Sequence, residues 1–189
     1  KMQKAKGQFK IKNLALLAGL SLVLVGCKHV SVKTQENNQQ QESRVVLGGS
    51  FVKGQRAPAI VVESFEGKEV DLSQHYGKRA VVLDFWAGWC PYCVEEMPEL
   101  QKAAEKYKDR LVVIGVHRTE TESVKLGEKF AQDKGVTYML VKDDGSLYKA
   151  TGGVGMPVAV FIDKTGRVVE IKTGPKTAEE IGEKIESLL

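Results

Sequence analysis

The chain is poor in cysteine and histidine, with three of each in 189 residues. That is too few for the dense disulfide framework of a small secreted domain. Cys27 stands alone, and Cys90 and Cys93 are separated by two residues. A disulfide between such close neighbours closes too small a loop to act as a useful staple, so redox chemistry or metal binding remains for that pair. A zinc site would need a second pair of ligands, yet there is no other Cys-x-x-Cys and His29, His75 and His117 are scattered. Covalent haem attachment would need histidine after Cys93, where Val94 stands. The sequence also lacks an apolar run of the roughly 20 residues that a membrane-spanning helix requires. Nor does it have a true charge surplus. The net charge of +4 comes from Lys1, Lys4, Lys6, Lys10 and Lys12; beyond Cys27, 23 basic residues face 24 acidic ones. That balance removes the electrostatic case for nucleic-acid binding by the folded part.

What is present divides the chain into three. Residues 1–26 have a basic start and a short apolar run over 14–25, the pattern of a secretory signal peptide. The run ends in Leu24-Val25-Gly26-Cys27, which resembles the bacterial lipobox, in which the cysteine is lipidated and becomes the new N-terminus. Lipidation at Cys27 would hold the protein on a membrane surface without a span, outside the cytoplasm, on the cell surface or the periplasmic side. Residues 28–50 are rich in Gln and Asn and cannot bury enough apolar surface to offset ordering entropy, which predicts a flexible tether over 27–50. As a coil it would span roughly 25–30 Å. Residues 51–189 are long enough for one folded domain.

In that domain apolar runs alternate with helical patterns, the mark of an α/β sheet. Short strands are predicted over 60–62 and 69–72. Residues 80–86 (AVVLDFW) are apolar on both alternating faces and predict a central buried strand. Met97, Leu100, Ala104 and Tyr107 give the following helix its period. A second buried strand is expected over 111–116, a helix over 123–133, a strand over 138–141 and a helical turn over 146–150. Residues 158–163 and 168–172 predict an antiparallel hairpin. Thr177 and Glu180 match a capping box that opens the last helix.

The cysteine pair lies where the central strand gives way to a helix. A helix N-terminus offers unpaired N–H groups and a positive dipole end, so Cys90 is expected to form a thiolate at lower pH than an ordinary cysteine. Cys93, three residues on along the same face, can reach the Cys90 sulfur and resolve a mixed disulfide. Pro91 suits the first helical position, where its missing N–H is not needed. Asp84 is a carboxylate inside a wholly apolar strand, a costly placement that points to proton exchange with Cys93. Met156-Pro157 follows a glycine-rich loop and precedes a strand, a position proline tolerates only at an edge or in a special turn.

The segments VVLDFWAGWCPYC and GMPVAVFID resemble the thioredoxin superfamily, specifically its membrane-tethered TlpA-like or ResA-like redoxins. Supporting segments are Gly54-Gln55-Arg56-Ala57-Pro58, Gly77-Lys78, and Cys93-Val94-Glu95-Glu96-Met97-Pro98, which resembles the Cys-x-x-Glu-x-Pro of the TlpA-like group. The resemblance implies a thioredoxin-like fold: a central mixed β-sheet flanked by helices, with an N-terminal β extension. It implies that Cys90 is an exposed nucleophile and Cys93 the resolving thiol, that Trp89 is a flanking surface aromatic, and that Met156-Pro157 is a cis bond leaving nearby backbone free for an extended substrate. Substrate contacts are then expected at Trp89, Pro91, Tyr92, Met156 and Pro157, and a modulating role at Glu96, near the cysteines. Asp84 matches the buried aspartate of thioredoxin itself, and Cys-Pro-Tyr-Cys is also the glutaredoxin tetrapeptide, so the sequence mixes patterns.

The expected activity is thiol–disulfide exchange without a bound cofactor or metal, by a monomer that reduces disulfides of exported proteins, as in cytochrome c maturation or oxidised-protein repair. Electrons would come from a membrane donor of the CcdA/DsbD type. Two alternatives stand beside it. A redoxin-type thiol peroxidase would carry a Pro-x-x-x-Thr/Ser-x-x pattern before its cysteine, where this chain has LDFWAGW. A lipoprotein that delivers copper or haem would use the two thiols as soft ligands.

Overall fold

A computed structural model describes residues 45–189; the predicted signal peptide, Cys27 and nearly all of the predicted tether lie outside the described residues. The described part contains eight strands and four α-helices arranged around two sheets. The larger has strand order β6-β5-β4-β7-β8, and the smaller has order β1-β2-β3.

Strand β4 (Ala80–Trp86) forms the centre because each of its seven residues is buried. It runs parallel to β5 (Leu111–Arg118) on one side and antiparallel to β7 (Val158–Ile162) on the other. Its two faces meet different neighbours. Ala80 and Val82 pack with Leu100 of α1 (Pro91–Lys106) and with Ile181 and Ile185 of α4 (Ala178–Leu188). Val81, Leu83 and Phe85 point the other way, onto Ile60 and Val62 of β2 (Ile60–Glu63) and onto Leu147 of α3 (Ser146–Ala150). Alternation of period two thus assigns Asp84 and Trp86 to the face under α1 and α4.

The parallel half is completed by α2 (Val124–Asp133) and β6 (Met139–Asp143), and the antiparallel half by β7 and β8 (Val168–Thr173). Thr177 opens α4 with a reciprocal cap: its hydroxyl accepts from Glu180 N at 3.1 Å, and the Glu180 carboxylate accepts from Thr177 N at 2.8 Å.

Two local differences from the sequence reading have physical causes. The strand expected over 69–72 stops at Asp71, because β3 (Glu69–Asp71) gives way to a 3-10 turn over Leu72–His75. The Asp71 carboxylate accepts from both the N–H and the hydroxyl of Ser73 and so caps that turn, while the buried Leu72 side chain joins the core. The stretch expected to remain a tether up to residue 50 contains β1 (Val46–Leu47), which pairs antiparallel with β2. Two apolar residues suffice there because an existing strand edge supplies their hydrogen-bond partners.

Candidate active site

The central strand ends at Trp86, and the chain turns through Ala87-Gly88-Trp89 into α1. Cys90 is the N-cap of that helix with extended backbone, and Pro91 occupies its first turn. Cys90 and Cys93 form a disulfide with Cα atoms 5.3 Å apart. The Cys93 backbone N–H donates to the Cys90 sulfur at 3.2 Å. One of the orphan donors of the helix start is therefore aimed at the sulfur on which negative charge would settle.

The expectation of an exposed nucleophile is corrected in this disulfide form. Cys90 is only 3% exposed and Cys93 is fully buried, because both pack in a cluster with Trp86, Met97 and Ala131. What is exposed is the rim. Trp89 and Tyr92 are about half exposed, at 52% and 54%, and Val154 is 87% exposed. Pro91 is exposed as well. The Trp89 indole Nε1 donates to Thr121 Oγ1 at 3.1 Å, which fixes the orientation of the ring. Met156 and Pro157 are joined by a cis peptide bond, and Met156 packs against the cluster that holds both cysteines. The Pro157 carbonyl accepts from Gly174 N at 2.9 Å, joining this loop to the end of β8.

Beneath the disulfide the structure brings together charged groups from three elements. Asp84 is fully buried and neither carboxylate oxygen has a hydrogen-bond partner. Burial pushes its carboxyl up to about 8, with a smaller opposing pull from the Lys176 ammonium and a push from Glu96. Glu96 lies one turn beyond Cys93 and is buried. Its Oε1 accepts from Lys176 N at 2.7 Å, and its Oε2 is 2.7 Å from Lys176 Nζ, both side chains being at most 3% exposed. Burial raises the Glu96 carboxyl, while the bonds and charge of Lys176 oppose the rise. The Tyr138 hydroxyl is held well above its ordinary range, first by burial and then by the charges of Asp84 and Glu96.

Asp84, Cys90, Cys93, Glu96, Met156 and Pro157 thus converge on one end of the sheet, with Trp89, Pro91 and Tyr92 at its rim. Lys176 is the member that sequence reasoning missed. It sits in the loop before the α4 capping box, 80 residues beyond Glu96, and carries no local pattern. The available signal was Asp84 itself, since a carboxylate inside an apolar strand calls for a nearby cation. Among the described residues, no cluster of three or more His, Cys, Asp or Glu is placed to hold a metal ion, and no helix is long and apolar enough to cross a membrane.

Comparison with known proteins agrees with this geometry. The Redoxin family model matches residues 52–188. The chain is 31% identical to the thioredoxin-like protein YneN of Bacillus subtilis over 172 residues, covering 90% of this chain and 96% of that one. It is 37% identical to the thiol-disulfide oxidoreductase ResA of Bacillus thuringiensis over 131 residues, covering 68% of this chain and 73% of ResA. A solved structure described as a candidate thiol:disulfide interchange protein DsbE of Chlorobium tepidum superposes with a TM-score of 0.65 at 28% identity, over 74% of this chain and 99% of that one.

Proposed function

The chain belongs to the redoxin family of thioredoxin-like thiol–disulfide oxidoreductases, and from that premise we propose that it reduces disulfides in exported proteins through Cys90 and Cys93. The observation that carries this reading is a vicinal cysteine pair at a helix N-terminus, with a buried carboxyl behind it and exposed aromatics around it.

In the reduced enzyme the Cys90 thiolate attacks one sulfur of a client disulfide. A bond forms between Cys90 and that sulfur, and the other client sulfur leaves as a thiolate and takes a proton from solvent. Cys93 then gives its proton to the Asp84 carboxylate and attacks Cys90 Sγ, displacing the second client thiolate and closing the Cys90–Cys93 disulfide. Two electrons have passed to the client. The positive charge of Lys176 favours the ionised, proton-accepting form of Asp84, and the negative charge of Glu96 opposes it. Trp89, Pro91, Tyr92 and the backbone around Met156-Pro157 contact the client. A membrane dithiol donor of the CcdA/DsbD type restores the reduced pair, and lipidation at Cys27 keeps the domain beside that donor, outside the cytoplasm. The clients include apocytochrome c or oxidised repair enzymes.

The deciding experiment equilibrates the protein in defined thiol buffers and measures the reduction potential of the Cys90/Cys93 couple. A reductase requires a value of roughly −250 mV or lower, near that of ordinary thioredoxin, whereas a value above roughly −180 mV assigns disulfide formation or isomerisation instead.

A further inference from the structure

The structure assigns a role to a segment outside the dithiol: residues 117–122 form a shared bracket that fixes the spacing between the cysteine loop and the Met156-Pro157 loop. The bracket thereby favours extended polypeptide disulfides over small ones. The inference rests on the reductase reading and goes beyond it by naming what sets the separation of the two loops that would flank a client.

The bracket is rooted at the end of β5. His117 is fully buried, pairs in register with Trp86, and has its ring tilted against that indole with centroids 4.7 Å apart and edge-on to Phe65 at 5.4 Å. Its Nε2 is 2.8 Å from Glu122 Oε2. The same Glu122 oxygen accepts from the Gly88 backbone N–H at 2.9 Å, two residues before Cys90. Thr121 Oγ1 holds the Trp89 indole and donates to the Arg118 carbonyl at 3.0 Å, tying the turn to itself. The cysteine loop is therefore held from this segment at two successive residues.

The other wall is reached through Arg118. Its guanidinium, which also pairs with Glu120, lies partly buried over the Tyr148 ring, 3.7 Å from the centroid, a cation–π geometry. The Tyr148 hydroxyl donates to the Gly155 carbonyl at 2.7 Å, immediately before Met156-Pro157. Tyr148 is itself fixed from below, because the buried Asp143 carboxylate accepts from Leu147 N at 2.9 Å and Tyr148 N at 3.0 Å. One short turn thus grips both walls with hydrogen bonds and a ring contact, none of which touches the sulfur atoms. A small disulfide needs only Cys90. A polypeptide must fit between the two loops, so its binding depends on their separation.

The test uses two side-chain deletions of near-equal volume, Tyr148→Phe and Thr121→Val, and their combination, in the reduced full chain. Single-turnover reduction is followed with insulin as the protein disulfide and 5,5′-dithiobis(2-nitrobenzoate) as the small one. Each single variant is expected to raise the half-saturating insulin concentration roughly threefold to tenfold, the usual effect of losing the one hydrogen bond of Tyr148 or the two of Thr121, while the rate with the small disulfide stays within twofold. The double variant should fall short of the product of the two effects, because once either wall is released the spacing is no longer set. Equal changes with both disulfides, no change with insulin, or strictly multiplicative effects would overturn the bracket. A wild-type protein that reduces the small disulfide but not insulin would overturn the client reading itself, before any variant is compared.

Discussion

Lys176 and Glu96 form an ion pair inside the protein, and such a pair is held in place by what happens when half of it is removed. Each ion has given up its hydration, so either alone would be a buried charge without a partner. Lys176→Met should destabilise the fold by about 3 kcal/mol at pH 8, within the range for breaking buried pairs. The loss should be smaller at pH 5, because burial raises the Glu96 carboxyl and its proton uptake as pH falls lessens the need for a counter-charge. Combining it with Glu96→Gln should recover most of the loss. Urea denaturation of both variants at the two pH values checks this. At this scale the sequence was only partly legible. Asp84 stood out because nothing in its strand could hydrogen-bond it. Glu96 read equally well as an acid stabilised at a helix start. Asp84 signalled a nearby cation, but nothing singled out Lys176 as that cation, because the bond that defines it joins positions far apart in the chain.

At the scale of elements, the strand–turn–helix unit around the cysteines depends on a glycine for a packing reason. A Cβ built on Gly88 would lie 2.1 Å from the Phe130 ring of α2, far inside contact distance. Gly88→Ala must therefore push α2 or the cysteine loop aside. The expected cost is about 1–3 kcal/mol, with a faster reaction of the reduced cysteines with iodoacetamide as their cover loosens. Thermal melting and alkylation rates test the two parts separately. Most elements were legible from period and composition: β4 from its apolarity on both faces, α1 from its three-and-four spacing, and α4 from its capping box. The two-residue β1 was not, because its pairing comes from the edge of β2 and not from its own sequence. Leu72 was drawn into the preceding strand by its apolarity, although the Asp71 cap sets a turn there.

For the whole molecule, buried ionisable groups set how stability varies with pH. Burial lowers His75 and His117 below the ordinary imidazole range and raises Asp84 to about 8. The unfolded chain's histidines are half protonated at pH 6.5 and lose those protons by pH 8, whereas in the fold burial has already favoured the neutral ring, so both raise stability as pH rises. Asp84 acts the other way and more strongly: it keeps most of its proton in the fold until pH approaches 8 but is ionised in the unfolded chain, so its contribution makes stability fall as pH rises. One proton corresponds to about 1.4 kcal/mol per pH unit, so between pH 6.5 and 8 Asp84 alone costs about 1–2 kcal/mol, of which the histidines offset a part. Asp84→Asn should abolish the fall in urea titrations at pH 6.5 and 8 and leave stability level or rising with pH; an unchanged fall would place the titrating group elsewhere.

The larger sheet has two outer strands, and neither is left bare. Phe65 N–H donates to the Leu140 carbonyl of β6, and Ser64 bridges to Val141, so one margin is partly occupied by the chain itself. The other, β8, carries Glu170 and Lys172, which pair with Lys184 and Glu180 of α4 at 2.5 and 3.8 Å. Charged side chains and covered backbone discourage the addition of a foreign strand. With both flanks guarded in this way the folded domain stays a finite object even when crowded, because each margin gives a neighbouring chain little on which to grow.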